Sequence, residues 1–244
     1  MGFQKSAWAA LVAAVLAGCQ PVASRVPSAM PAPAPALSPP LPDGRLSAEQ
    51  AARNFIAVVS RLEPMAETMC RERTPRSNCD FEIVVDDRPN QPPNAFQTLD
   101  RAGRPIIGFT LALIADARNA DEIAFVVGHE AAHHIAGHIP QVQRTATTGA
   151  VLAGVLAQAS GAPPEAVRAA QQMGATMGAR TYARNFELEA DALGAEIAFR
   201  AGFDPVRGAA FFTRLPDPGD QFLGSHPPNA QRVETVRRVV ATLR

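Results

Sequence analysis

The residues of this chain best suited to chemistry lie in one short segment. Residues 128–138 read GHEAAHHIAGH, with four histidines and one glutamate among small and apolar side chains. If the segment is helical, His129 and His133 project from the same face, because residues four apart are neighbours on a helix. Two imidazoles at this spacing can bind one metal ion, and Glu130 beside them can act as general base on a water molecule that the metal activates. The order H-E-x-x-H is therefore typical of a zinc hydrolase.

The residues before this segment predict the helix that it needs. Residues 121–127 read DEIAFVV, so that Asp121 and Glu122 precede a run of apolar positions. Acidic side chains stabilise helix N-termini, and the apolar run is typical of a buried helix. Because H-E-x-x-H also occurs by chance, a polar helix face without a metal is the alternative unless other parts of the chain agree.

A catalytic zinc ion usually takes a third protein ligand and keeps one position open for water. His138 is one candidate, but the metalloprotease pattern H-E-x-x-H-x-x-G-x-x-H requires its histidine one residue later. Glu187 in NFELEAD is preferred, because Asp191 lies four residues on and can accept a hydrogen bond from the outer nitrogen of a ligating histidine. Glu189 is predicted to be a surface carboxylate, and His134 and His138 helix-face histidines without a catalytic role.

Five segments together carry a family resemblance that H-E-x-x-H alone does not. They are NAF at Asn94–Phe96, HEAAH at His129–His133, Y-x-R-N-x-E-x-E-A-D at Tyr182–Asp191, AGFDP at Ala201–Pro205 and SHPP at Ser225–Pro228. In these segments the chain resembles the zinc metalloprotease family that includes the HtpX membrane protease, the CAAX prenyl endopeptidases, periplasmic BepA and the lipoprotein LoiP. The resemblance covers most of residues 47–244. It implies a zincin-type fold, α+β and mainly helical, with a small sheet beside the H-E-x-x-H helix.

The resemblance also implies a ligand set and a reaction. One zinc ion per chain is expected on His129, His133 and Glu187, with Glu130 as the base and Asp191 as support for a ligand. The implied substrate is a peptide bond, hydrolysed without a covalent intermediate.

Two further features of the site follow from the resemblance. Asn94, Ala95 and Phe96 are implied to lie on an edge strand on which an extended peptide docks by strand addition. His226 in SHPP is implied to lie near the metal, where it either fills the open position or donates to the oxyanion. Tyr182 is a second candidate donor, and a histidine that caps the last helix is the alternative for His226.

The N-terminal residues predict export and a lipid anchor. Residues 1–18 have a basic start at Lys5 and an apolar stretch that is shorter than the roughly 20 residues a bilayer span requires, which is typical of a signal peptide. Leu16-Ala17-Gly18-Cys19 resembles the bacterial lipobox, which implies acylation of Cys19. Gln20 in place of an aspartate implies sorting to the outer membrane, facing the periplasm. Residues 19–46 are predicted to be a Pro/Ala-rich linker, and residues 47–244 the protease domain.

The two remaining cysteines suit an exported protein. Cys70 and Cys79 form an even pair in a compartment that permits disulfides, so a bridge is predicted, with two free thiols as the alternative. It would close a short loop and stabilise the fold by roughly 2–3 kcal/mol through the unfolded state.

Hydrophobic periodicity predicts the remaining elements. Ser47 and Gln50 form a capping box for an amphipathic helix, and FEIVVDD, NAFQTLD and RPIIGFT read as strands. Residues 149–159, GAVLAGVLAQA, are too short to span a membrane. They are predicted to form a buried or mobile helix near the active site, with shallow membrane contact as the alternative. Residues 163–202 read as one long or broken helical region, and NAQRVETVRRVVATL as the last helix.

Charge and motifs narrow the function. The 23 basic and 23 acidic residues balance, which excludes nucleic acid as an expected partner. The chain is predicted to hydrolyse misfolded or unassembled envelope proteins, with outer-membrane assembly machinery as a possible partner. The alternative is a lipoprotein chaperone or assembly factor whose metal site has low or regulated activity. Glu130 favours chemistry, because a structural metal site has no use for a general base.

Overall fold

The computed structural model describes residues 46–181, 183–217 and 227–244. Cys19, Tyr182, His226 and most of the predicted linker therefore lie outside the described residues. The predicted class, α+β and mainly helical, is confirmed. In chain order the elements are α1 (Ala48–Arg73), β1 (Glu82–Asp86), β2 (Ala95–Leu99), β3 (Pro105–Thr110), α2 (Leu111–Asp116), α3 (Ala120–Ile135), α4 (His138–Ala159), α5 (Pro164–Arg180), α6 (Ala183–Arg200), α7 (Pro205–Ala209), a 3-10 helix (Ala210–Arg214) and α8 (Asn229–Leu243).

The first helix begins at the predicted capping box. The Ser47 hydroxyl accepts a hydrogen bond from the Gln50 backbone N–H at 3.2 Å, and the Gln50 side chain accepts one from the Ser47 N–H at 2.9 Å. Leu46, the last residue of the predicted linker, is buried in the core. Core packing in the described part of the chain therefore includes the residue before the predicted domain boundary.

A three-stranded sheet lies beside the H-E-x-x-H helix. The strand order is β1-β3-β2, with β1 parallel and β2 antiparallel to the central β3. The β2–β3 hairpin turns at Gly103, whose φ of 82° suits a residue without Cβ. Asp100 stabilises this turn by accepting hydrogen bonds from the backbone N–H groups of Ala102 and Arg104. Strand β2 is thus an edge strand of the described sheet.

Helices α3 and α6 cross at two glycines. A Cβ atom at Gly128 would lie 2.7 Å from the Gly194 carbonyl oxygen, and one at Gly194 would lie 2.7 Å from the His129 backbone nitrogen. Real Cβ atoms essentially never approach this closely. Gly194 follows Glu187 by seven residues, or about two helical turns, so the same face of α6 carries the close contact and the carboxylate.

Two ion pairs that involve buried carboxylates fix the start of α3. Asn119 caps the helix, and the first-turn carboxylates Asp121 and Glu122 are both buried. Arg207 of α7 pairs with Asp121, and Arg214 binds Glu122 through two hydrogen bonds of 2.7 Å. The acidic residues therefore favour the helix N-terminus and also connect it to the segment after α6.

Helices α4 and α5 form a hairpin, and its surface contradicts one prediction. Residues 149–159 lie within α4, but Leu152 and Leu156 are 59% and 62% exposed, so the expectation of a buried helix is wrong. The reason is that Gly149 and Gly154 face α5, which leaves the branched side chains outward. No helix in the described part of the chain is long and apolar enough to cross a membrane. The region 163–202 is a broken helix, divided between α5 and α6.

The structure contains a disulfide between Cys70, in the last turn of α1, and Cys79. The loop that it closes contacts the H-E-x-x-H helix, because the Asn78 carbonyl oxygen lies 2.7 Å from His134 Nε2. The His134 ring also packs edge-on against Phe81, at 5.4 Å between centroids. His134 therefore faces the disulfide loop.

Candidate metal centre

Three side chains from two helices converge in the arrangement that a metal requires. His129 and His133 project from α3, and Glu187 projects from α6. The two Nε2 atoms are 3.1 Å apart, and the Glu187 carboxylate oxygens lie 3.6 Å from His129 Nε2 and 3.4 Å from His133 Nε2. Tetrahedral ligands at 2.0–2.1 Å from one ion are separated by about 3.3 Å. The spacing and the donor types of this cluster therefore fit a tetrahedral metal ion with one position left open.

His129 is oriented by a buried carboxylate. Its Nδ1 lies 3.0 Å from Asp191, which receives two hydrogen bonds, of 2.8 and 2.7 Å, from Arg232 of α8. Burial acts to raise the pKa of Asp191, but the hydrogen bonds from His129 and Arg232 outweigh it and lower that pKa. Burial likewise acts to lower the pKa of His129, while the hydrogen bond and charge of Asp191 raise it. The ionised Asp191 keeps the proton on Nδ1 and leaves Nε2 to bind a metal.

His133 is oriented by His138, which the sequence analysis predicted to be a helix-face histidine without such a role. His138 is buried, and its Nδ1 lies 2.9 Å from His133 Nδ1, while its Nε2 lies 3.3 Å from the Glu189 carboxylate. Burial and the neighbouring His133 lower the pKa of His138, so it is neutral and can accept from His133 while donating to Glu189. His138 is thus neither a metal ligand nor a plain helix-face histidine. Glu189 is exposed as predicted, yet it ends this chain of contacts.

Glu130 lies beside the two ligating histidines and lines the same cavity. Its pKa is raised above the usual range, chiefly because burial disfavours its charged form, and the charges of His129 and His133 oppose that rise. A carboxylate with a raised pKa is a stronger base and suits proton transfer near neutral pH. Glu130 therefore lies beside the cluster, where the role predicted for it requires a carboxylate.

The cavity at this site has a volume of about 320 Å³ and reaches the first residue of the edge strand. Asn94 and Ala95 line its rim, and a second recess on the other side of Glu130 and His133 is bordered by Gln97 of β2 and by Ile139 and Val142 of α4. An extended peptide laid along β2 would therefore pass the candidate metal ligands. Apolar side chains form the inner wall, namely Leu113, Phe125, Val126, Phe211, Phe212 and Leu215.

Phe96 differs from its neighbours in the predicted docking strand. Its ring covers Gly108 of β3, where even a Cβ atom would overlap it. Phe96 is not among the residues that line the cavity. Its side chain therefore holds the strand against the sheet.

The sequence-based prediction missed three residues that support the ligands. Arg232 lies in a helix with several other arginines, so nothing in the local pattern distinguishes it. The spacing of His138 and Glu189 does not fit a metal ligand, so the sequence gives neither residue a role at the site. The sequence signal that could have indicated a role for His138 is the unusual number of histidines in residues 128–138.

Comparison with known proteins defines the class. Residues 56–240 match the family described as Peptidase family M48, so the chain belongs to this family of metalloproteases. The sequence-based assignment to the zinc metalloprotease type is thereby confirmed at the level of the family.

One relative is a Vibrio cholerae serotype O1 protein named "Putative beta-barrel assembly-enhancing protease". It is 37% identical over 123 residues, which is 48% of this chain and 25% of that protein. The match thus spans about a quarter of the length of the relative. No solved structure gives a significant match.

Proposed function

We propose that this chain is a zinc-dependent endopeptidase that hydrolyses misfolded or unassembled proteins of the bacterial cell envelope. The observation that carries this proposal is the convergence of His129, His133 and Glu187 beside Glu130, in a groove along an edge strand. Membership of family M48 supports peptide bonds as the substrate. The name of the Vibrio cholerae relative supports a role in beta-barrel assembly.

Zinc fits the donor set better than a hard cation does. Two imidazole nitrogens and one carboxylate are a common catalytic zinc set, whereas Mg²⁺ and Ca²⁺ prefer oxygen ligands alone. Structural zinc sites normally fill all four positions with Cys or His, but the described residues offer three ligands in this cluster. The arrangement therefore supports a catalytic ion rather than a structural one.

The residues around the cluster divide the work of peptide hydrolysis. A bound zinc ion would supply the positive charge that acidifies water and polarises the substrate carbonyl. Glu130 takes the proton from the attacking water and delivers it to the leaving amine. Strand β2 holds the peptide extended, and the apolar wall of the cavity receives a side chain next to the scissile bond. Asp191 and His138 keep the ligating nitrogens aimed inward.

His226 is part of this proposal, although it lies outside the described residues. SHPP resembles a family segment whose histidine lies near the metal, so His226 would block the open position or stabilise the oxyanion. His226→Ala is expected to raise casein cleavage in the first case and to lower it in the second. Unchanged cleavage and unchanged metal content would reject both roles.

Catalysis is tested by metal content and casein cleavage of the wild type beside Glu130→Gln and Glu187→Ala. Glu130→Gln should keep its zinc and lose cleavage by at least a hundredfold, because general base catalysis contributes about 10² to 10⁴. Glu187→Ala should lose both the zinc and the cleavage. A Glu130→Gln variant that cleaves like the wild type would contradict the proposal.

The same measurements test the alternative of a chaperone or assembly factor. That protein would hold zinc without turnover and would suppress aggregation of an unfolded client equally well with Glu130→Gln. A zinc-loaded wild type without casein cleavage, together with this equal suppression, would favour the alternative.

We further propose that the chain is anchored by lipid on Cys19 to the outer membrane, facing the periplasm. The lipobox-like residues 16–19 and Gln20 support this location, and the Cys70–Cys79 disulfide suits an oxidising compartment. Mass spectrometry of the mature N-terminus should find an acylated Cys19. An unmodified N-terminus, or a lipidated protein that fractionates with the inner membrane, would contradict the anchor or its location respectively.

A further inference from the structure

The α4–α5 hairpin carries an exposed apolar surface that the proposed catalysis does not use. Its side chains are between 49% and 65% exposed, although they are large and aliphatic or thioether in type. We call this surface the hairpin face. Its members are Val151, Leu152, Val155, Leu156, Met173 and Met177.

The geometry of the hairpin brings these residues to one side. The helices are antiparallel, because Thr145 opposes Gly178 and Gly149 opposes Gly174. The aliphatic residues of α4 lie roughly a third of a turn away from this glycine contact. The methionines of α5 lie at a similar angle from it. Since the helices run in opposite directions, both sets fall on the same side of the hairpin.

The charges of the hairpin are arranged around this face. Residues 145–164 contain no charged side chain, and the whole hairpin carries Arg144, Arg168 and Arg180 against the single acid Glu165. Arg144 precedes Val151 by seven residues, and Arg180 follows Met173 by seven, so both project on the side of the hairpin face. Both are exposed, and neither forms an ion pair with a described residue. The chain as a whole has no net charge, so this excess of cations is local.

We propose that the hairpin face docks on the surface of an anionic lipid bilayer. The apolar side chains of the hairpin face would enter the boundary between headgroups and acyl chains, while Arg144 and Arg180 would reach the lipid phosphates. Apolar side chains with cations beside them match the apolar interior and the anionic surface that a bilayer presents to an approaching protein. The contact proposed is shallow and lies in the interface. The contact goes beyond the proposed catalysis and does not require the metal.

Tryptophan fluorescence in the full chain tests this contact directly. The chain has one tryptophan, Trp8, so a Trp8→Phe background leaves only the probe that is introduced. Leu152→Trp places the probe on the hairpin face, and Ile56→Trp places it on α1 at a comparable exposure, 67% against 59%. Vesicles of phosphatidylglycerol and phosphatidylethanolamine with brominated acyl chains should shift the emission of Leu152→Trp to the blue and remove most of it. Ile56→Trp should keep its emission.

The contrast between these variants separates the hairpin face from other attachments. Both variants carry the same N-terminal segment. Binding of the vesicles through that segment alone would quench neither tryptophan or both equally. Either result would overturn the proposal. A blue shift of Leu152→Trp that needs no vesicles and grows with protein concentration would identify a second copy of the chain as the occupant instead.

A second pair of variants tests the cations. Arg144→Gln with Arg180→Gln should greatly weaken quenching of Leu152→Trp on the anionic vesicles, because each basic residue near an anionic surface strengthens binding. Arg237→Gln with Arg238→Gln, two exposed arginines of α8, is the matched control and should have no effect. Equal loss in both pairs, or equal quenching on pure phosphatidylcholine, would overturn the role assigned to Arg144 and Arg180.

Discussion

At the scale of single residues, the two candidate ligands His129 and His133 contact different groups through their Nδ1 atoms. His129 contacts an ionised and fully buried Asp191, whereas His133 contacts the neutral His138 and reaches the exposed Glu189 only through it. A direct carboxylate contact orients an imidazole and raises its basicity more than a neutral partner does. The support of His133 is therefore the weaker of the two.

This difference predicts a graded loss of metal affinity. His138→Ala should weaken zinc binding about 10- to 100-fold, the usual effect of removing a group that orients a ligand. Glu189→Gln should weaken it less, because the exposed amide can still accept from His138. Competition with a chromophoric chelator would measure both. His134→Ala is the matched control on the same helix, and an equal loss in that variant would indicate general damage to α3.

The cluster of His129, His133 and Glu187 could be predicted from the sequence, but the residues that contact it could not. Spacings such as that from His129 to His133 are set by helix geometry, which holds in any fold. The contacts of His138 and Arg232 depend on how α4, α6 and α8 pack, and no local pattern encodes that. The same limit explains the error over residues 149–159, because composition cannot tell whether the glycines or the leucines of a helix face its neighbour.

At the scale of elements, the metal cluster depends on how closely α3 approaches α6. Gly128 and Gly194 allow the two backbones to touch, and His129 follows directly after one of these glycines. Helices in contact through ordinary side chains are about 8–10 Å apart. A larger residue at this crossing would therefore move Glu187 away from the histidines.

Gly194→Ala should accordingly affect both the fold and the metal. Overpacking of this kind typically costs about 1–3 kcal/mol of the free energy of unfolding, and zinc affinity should fall as the ligands separate. Gly149→Ala makes the same change at the α4–α5 contact, where a Cβ would overlap the Gly174 carbonyl. That variant should lose stability but keep its zinc affinity. Chemical denaturation measures the stability of the two variants, and metal titration measures their zinc affinity. Similar zinc affinities in Gly194→Ala and Gly149→Ala would refute the link between the α3–α6 contact and the metal cluster.

At the scale of the whole molecule, the disulfide joins the end of α1 to a loop that rests on the catalytic helix. Cys79→Ser should lower the free energy of unfolding by roughly 2–3 kcal/mol, because the unfolded chain gains freedom. Reducing agent should lower the stability of the wild type by a similar amount and leave Cys79→Ser unchanged. Urea unfolding with and without reductant measures this, and a wild type insensitive to reductant would show that the bridge contributes nothing.

Helix α8 has a consequence for the order in which the site is completed during synthesis. All three ligands, as well as Glu130, precede residue 188, whereas Arg232 comes more than forty residues later. A nascent chain that has emerged only to the end of α6 therefore holds the ligands but lacks the guanidinium that neutralises the buried Asp191. An uncompensated buried charge costs about 3–5 kcal/mol, which opposes closure of α6 onto α3. Stable closure of α6 onto α3 therefore requires α8, and the metal cluster reaches its final geometry only once that helix has packed.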